Sequence, residues 1–325
     1  MFKKLSILLA AALLAACSVE REEGANGTKG PESGVSLTFT YENPAAGLSR
    51  VEPVPASDAE KAIRDMDVFM FLADGTFVRK LTAGDYSAQN NSATSTISVS
   101  KALVHQYVGQ QAVFYFVANN AASTDGVHLD SFGGTTEAEF RELLTQPLAE
   151  SGYMPGKSVE IGITAGTGGL LMTGRSNTIT LAGTIRETIR LKRRVARFDL
   201  YLPVDPANIH VENFYITDAA VQATMFGNSS ALHTIATRSV EPVWGPDDSD
   251  YDTQGYVRSV FYLYPTTLAT TRIAIEVRNN NNQYRIFTLD NDVLSIEANK
   301  RYTLIFDGND LKVDSNTGDW EESNP

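Results

Sequence analysis

Cysteine is nearly absent from this chain: Cys17 is the only one in 325 residues, so no disulfide can close within it and no multi-thiolate metal cluster can form. Stability must come from packing. Histidine is scarce too, and His105, His128, His210 and His233 include no pair at a metal-ligand spacing such as i, i+4. Neither a metal centre nor any other cofactor is expected. Basic residues are in deficit, 27 against 39 acidic ones, for a formal charge of −12. Such a surface repels phosphate, which argues against nucleic acid as a partner. Long hydrophobic runs are missing except for residues 5–16, and that run is too short to cross a bilayer as a helix.

The run follows Met1, Phe2, Lys3 and Lys4, a charged n-region ahead of an apolar h-region of signal-peptide length. It ends in Leu14-Ala15-Ala16-Cys17, which resembles the lipobox of bacterial lipoproteins. The resemblance implies that Cys17 takes up diacylglycerol and becomes the mature N-terminus. A plain secretory signal cut nearby, or a buried N-terminal helix, would be the blander readings; the flanking lysines and the polar stretch that follows favour the lipoprotein signal. Losing Lys3 and Lys4 with the leader leaves 25 basic against 39 acidic residues and a formal charge of −14.

Residues 18–34 are polar with almost nothing to bury and read as a flexible tether. Folding starts where Val35, Leu37, Phe39 and Tyr41 alternate with polar residues, the signature of a strand with one buried face. A loop over 42–57 follows, where Pro44, Gly47, Pro53 and Pro55 exclude regular structure and favour exposed, extended backbone. Further strands are predicted over Met66–Leu72, ending at an Asp74-Gly75 turn, over 76–81 as its hairpin partner, over Thr94–Val99 and over 112–118. One helix is predicted over 136–144, capped by Thr135 or Thr136 with Glu137 and Glu139 in its first turn. Strand candidates continue over 211–217, 256–264, 273–277, 284–289, 301–306 and Leu311–Val313. Many short strands with turn signals between them argue for β-sandwiches, with a boundary just before Arg190. No internal repeat is visible that would show the halves to share a fold.

Chemistry is hard to find. The cluster Arg190-Leu191-Lys192-Arg193-Arg194-Val195-Ala196-Arg197 alternates with apolar residues and runs into Phe198-Asp199-Leu200-Tyr201-Leu202, which reads as a strand with a solvated basic face. Asp247-Asp248-Ser249-Asp250-Tyr251-Asp252 has oxygens enough for calcium, yet lacks the glycine and terminal glutamate of an EF-hand, so a solvated acidic loop is favoured. Gly166-Thr167-Gly168-Gly169 has no following Gly-Lys-Ser/Thr and is read as a turn rather than a phosphate loop. No Gly-x-Ser-x-Gly elbow occurs, and no catalytic constellation suggests an enzyme.

An ordered set of short motifs does carry a resemblance. It comprises the lipobox, the strand at 35–41, the arginine-bearing loop 43–55, and Asp67-Val68-Phe69-Met70-Phe71 leading to Asp74-Gly75. Phe116-Val117-Ala118-Asn119, Leu171-Met172-Thr173-Gly174 and Ile189-Arg190-Leu191-Lys192-Arg193 follow. Phe261-Tyr262-Leu263-Tyr264-Pro265, Ala298-Asn299-Lys300-Arg301-Tyr302 and Trp320 complete it. In this order the chain resembles the FimA-type fimbrillins, lipoproteins that build type V pili on Bacteroidales bacteria.

The resemblance implies a mainly all-β fold of two tandem transthyretin-like β-sandwich domains with one or two short helices, over 35–189 and 190–325, behind the leader 1–17 and tether 18–34. It implies a structural subunit of a cell-surface fimbrium, carried to the outer membrane by the lipid on Cys17. An arginine-specific protease would cut after Arg50, leaving Val51 as the new N-terminus. The strand bearing Val35, Leu37, Phe39 and Tyr41 would leave, and a strand of another pilus subunit would fill the groove. Burial of four such side chains is worth roughly 6 to 10 kcal/mol, enough to drive a replacement in. Arg50 as an ordinary surface arginine is the plainer reading. The tail beyond Leu311 and Val313 looks short for a donor strand, so stalk, tip and anchor roles stay open. The competing function is an uncleaved anchor or surface adhesin that binds glycan or host protein, with Trp244 and residues 247–252 as natural contacts.

Overall fold

The computed structural model describes residues 36–42, 63–90, 94–120, 132–145, 170–203, 209–217, 223–226, 238–240, 256–265, 272–279, 281–289, 295–313 and 318–319. Its strands are β1 Ser36–Glu42, β2 Met66–Leu72, β3 Phe77–Lys80, β4 Tyr86–Asn90, β5 Thr94–Val99, β6 Gln111–Ala118, β7 Met172–Arg175, β8 Ile179–Thr180, β9 Thr184–Arg190 and β10 Lys192–Arg193. They continue with β11 Ala196–Pro203, β12 Ile209–Thr217, β13 Arg238–Val240, β14 Tyr256–Leu263, β15 Arg272–Asn279, β16 Tyr284–Thr288, β17 Lys300–Phe306, β18 Leu311–Val313 and β19 Gly318–Asp319. The described helices are α1 Lys101–Gln106 and α2 Glu137–Arg141. The chain is all-β with short helical insertions, as its spacing of strand and turn signals requires.

Strands β1 to β10 form two sheets, ordered β4-β5-β1-β9 and β10-β7-β6-β2-β3 with β8 added on β6. Between them lies a core in which Leu37, Phe39, Ile97, Val99 and Ile189 of the first sheet meet Val68, Met70, Phe114, Phe116 and Met172 of the second. The unbroken apolar run of β6 has a direct cause: its other face, with Val113, Tyr115 and Val117, is buried as well, under Phe140 of α2, Leu171 and Met225. The β2–β3 hairpin turns at Gly75, whose φ of +87° suits glycine, and Thr76 N–H donates to Asp74 Oδ1.

Strands β11 to β19 form a second pair of sheets, β14-β11-β17-β18 with β19 on β17, and β13-β12-β15-β16. Phe198, Leu263, Tyr302, Leu304 and Phe306 face Ile273, Ile275 and Val277 across this core. Phe198 and Tyr302 stack at 4.9 Å.

Two sequence expectations change. The basic segment is not one strand with a wet face: β9 ends at Arg190, β10 pairs with β7, and the chain turns at Arg194 and Val195 before β11 begins. Arg193 and Arg197 are wholly buried and Arg194 nearly so, because the segment crosses from one pair of sheets to the other and is covered from both sides. Burial lowers the Arg194 guanidinium to about 10, against the opposing influence of Tyr264. Helix α2 is shorter than 136–144, since Leu143 and Leu144 leave the helix to pair with the Thr224 segment. Its capping box of Thr136 and Glu139 is present. Helix α1 is the second of the one or two short helices expected, at a place the sequence reading does not assign; its signal is Ser100, whose side chain caps Leu103 N–H.

Candidate groove for strand exchange

The sequence alternation gives β1 one buried face, bearing Leu37 and Phe39, and its long-range pairing sets its place within the sheet. β1 is an interior strand. It pairs antiparallel with β5 from Leu37 to Glu42 and parallel with β9 over its whole length. Leu37 stands between Val99 and Ile185, and Phe39 between Ile97 and Glu187. Leu37 is 1% exposed and Phe39 is fully buried, its ring 5.0 Å from those of both Phe114 and Phe116 on the opposite sheet. Tyr41 takes the register position between Ser95 and Ile189.

The two neighbours of β1 are supported differently. β5 keeps β4 on its far side, whereas β9 pairs with no other described strand. β5 falls on a predicted strand and β9 does not: within β9 only Ile185 and Ile189 are apolar, with the charged Glu187 between them on the same face. Of the residues singled out in the sequence, Leu37, Phe39 and Tyr41 are brought together in β1. Val35, Cys17, Arg50, Val51, Trp244 and residues 247–252 lie outside the described residues. Residues 43–62, which contain Arg50, join β1 to the rest of the chain.

A second polar constellation sits on the outer face of β6. Tyr115 donates its phenol proton to Glu137, accepts from Arg175 Nε at 2.9 Å, and carries the Arg175 guanidinium 5.6 Å from its ring centre. Desolvation and the Glu137 bond push the phenol up to about 12. The group is fully satisfied and fixes α2 to the sheet. Among the described residues no cluster of three or more metal-ligating side chains occurs.

The first described strand is thus an interior strand of a β-sandwich. The family model for the major fimbrial subunit protein (FimA) matches residues 35–224, more than half of the chain. The chain belongs to the fimbrillin family. A second model, for the fimbrillin-A associated anchor proteins Mfa1 and Mfa2, matches residues 133–324. The fold is that of fimbrial β-sandwich proteins. The tip fimbrial protein Mfa3 of Porphyromonas gingivalis superposes with a TM-score of 0.56 at 11% identity, over 88% of this chain and 99% of that one. A protein of Bacteroides eggerthii described as a cell adhesion protein superposes with a TM-score of 0.50 at 17% identity, over 86% and 87%. No curated protein matches in sequence. As a fimbrillin the chain is a structural component of a cell-surface pilus that assembles with other subunits, not an enzyme.

Proposed function

We propose that the chain is exported as a lipoprotein on Cys17, cut after Arg50 by an arginine-specific protease, and assembled by strand exchange into the site of β1. The observation that carries this reading is the position of β1: an interior strand with two apolar side chains buried, tied to the rest of the chain through the arginine-bearing residues 43–62. Cutting that connection leaves β1 held by non-covalent contacts alone. Its departure would expose the two core positions and unpair facing backbone on β5 and β9. A strand from another subunit would restore both. The first pair of sheets, β1 to β10, then acts as an acceptor domain and the second pair, β11 to β19, as a domain that continues the fibre.

A second reading, an uncleaved anchor at the outer membrane or a surface adhesin, is favoured by the anchor-protein model over residues 133–324. Digestion of the intact chain with an arginine-specific protease separates the two. Strand exchange requires a first fragment beginning at Val51, capture of a donor-strand peptide by the cut chain, and an Arg50→Ala chain that stays monomeric. A primary cut elsewhere, or a cut chain that captures nothing, overturns exchange. A lipidated Cys17 on uncut protein from cells would then speak for the anchor.

A further inference from the structure

We infer that β9 is a standing wall of the groove, locked to the opposite sheet by a notch at Gly174, so that the groove stays open after β1 leaves. The inference rests on the strand-exchange reading. Its starting point is an apparent weakness: β9 pairs only with β1 among the described strands. A seven-residue strand stripped of that ladder would ordinarily fray, and a collapsed wall leaves an incoming strand nothing to pair with.

The chain on either side of β9 is nevertheless hydrogen-bonded into the other sheet. Before it, β8 pairs with β6, the Leu181 N–H donates to Gln110 and the Leu181 carbonyl accepts from Gly109. After it, β10 pairs with β7, and Arg194 N–H donates to the Leu171 carbonyl. β9 is thus a strap fastened at both ends to a sheet that β1 does not belong to. Its middle is fastened as well: Glu187 Oε1 accepts from Asn177 N–H at 2.6 Å and from Asn177 Nδ2 at 2.7 Å.

At Gly174 on β7 the packing leaves no room for a side chain. A Cβ built there would fall 2.7 Å from Ile189 Cγ2, 3.0 Å from Leu191 Cδ2 and 3.1 Å from the Arg190 carbonyl oxygen. Only a residue without a side chain lets Ile189 and Leu191, each 1% exposed, seat against β7. Ile189 is β-branched, so its γ2 methyl cannot swing away. Gly174 therefore acts as a positioning residue for the groove without touching the strand that fills it.

The test expels β1 without relying on the protease. In the full chain, Leu37→Asp and Phe39→Asp place two carboxylates where none can be buried. Spin labels on Thr188→Cys and Gln111→Cys, both exposed positions, report the distance from β9 to the opposite sheet, with Cys17→Ser keeping the leader unlabelled. The expected result is the same narrow distance distribution with β1 seated and expelled. Adding Gly174→Val should broaden it severalfold in the expelled background, while Gly84→Ala, where an added Cβ meets nothing within 4 Å, should not. Broadening on expulsion alone, or none with Gly174→Val, overturns the inference. If the doubly charged chain unfolds, the same labels are read in the chain cut after Arg50 and freed of β1, where a narrow distribution supports the wall and a broad one overturns it. A wall that stands while no donor peptide binds counts against strand exchange and not against the notch.

Discussion

Strands β1 and β11 occupy equivalent places in the two halves of this molecule, and their fates differ. Each is the first strand of its half, and each pairs antiparallel on one side and parallel on the other: β1 with β5 and β9, β11 with β14 and β17. Each buries a phenylalanine, Phe39 and Phe198, against aromatic partners. What separates them is attachment. β11 continues directly from the buried turn at Arg194 and Val195, and its parallel neighbour β17 has β18 and β19 as further partners. β1 connects to the later strands through residues 43–62, and its parallel neighbour β9 has no second strand partner among the described residues. On the strand-exchange proposal, the same sheet geometry gives a permanent strand where the chain is welded at the junction, and an exchangeable one where a single connection can be cut.

The largest expected effect comes from truncating the two phenylalanines before and after cleavage. In the intact chain Phe39→Ala and Phe198→Ala should each cost about 3–5 kcal/mol, read as a shift in the denaturant midpoint. After cleavage at Arg50, with the freed β1 segment left in solution, Phe39→Ala should no longer shift the midpoint, while Phe198→Ala keeps its full penalty. Equal penalties after cleavage would mean that β1 is as permanent as β11.

The weld itself can be probed at Asn299. Its Oδ1 accepts from Arg193 N–H at 3.1 Å, its own N–H donates to the Val195 carbonyl at 2.9 Å, and its φ is +62°. Asn299→Ala loses the side-chain bond and forces a Cβ residue without local hydrogen bonding into the left-handed region, for an expected loss of about 2 kcal/mol by thermal unfolding. Asn299→Gly should recover part of that loss by relieving the backbone. If alanine and glycine are equally harmful, the hydrogen bond alone matters there.

The smallest effect compares one buried tyrosine from each half. Burial raises Tyr115 and Tyr302 from 10.0 to about 12, reinforced at Tyr115 by the bond to Glu137 and opposed at Tyr302 by the Glu297 N–H that its oxygen accepts. The unfolded chain releases these protons near pH 10, while the fold retains them. Stability is therefore whole below about pH 10 and declines as pH rises from there through about 12. Tyr115→Phe and Tyr302→Phe should each flatten the alkaline decline measured by thermal melts between those limits. A variant that melts with the parent's full pH dependence would show its tyrosine to be silent.

Apolar runs bounded by turn signals placed Met66–Leu72, Thr94–Val99 and Leu311–Val313 at their observed bounds, and period-two alternation marked Leu37 and Phe39 as buried, because strand burial is a local pattern that each residue's polarity declares. The capping box at Thr136 was legible for the same reason. The sequence by itself also determined that no disulfide could stabilise the fold. Only the tertiary structure decided that Arg193, Arg194 and Arg197 are buried. Alternating charge reads as a wet face until a second pair of sheets is seen to cover it, and that cover comes from residues as distant in the chain as Thr224 and Asn299. Only the tertiary structure showed β1 to be an interior strand flanked by β9, since pairing between residues 36–42 and 184–190 is a long-range choice that no local pattern encodes. The notch at Gly174 belongs with these, because a glycine's missing side chain acquires meaning only from what packs into the space it leaves.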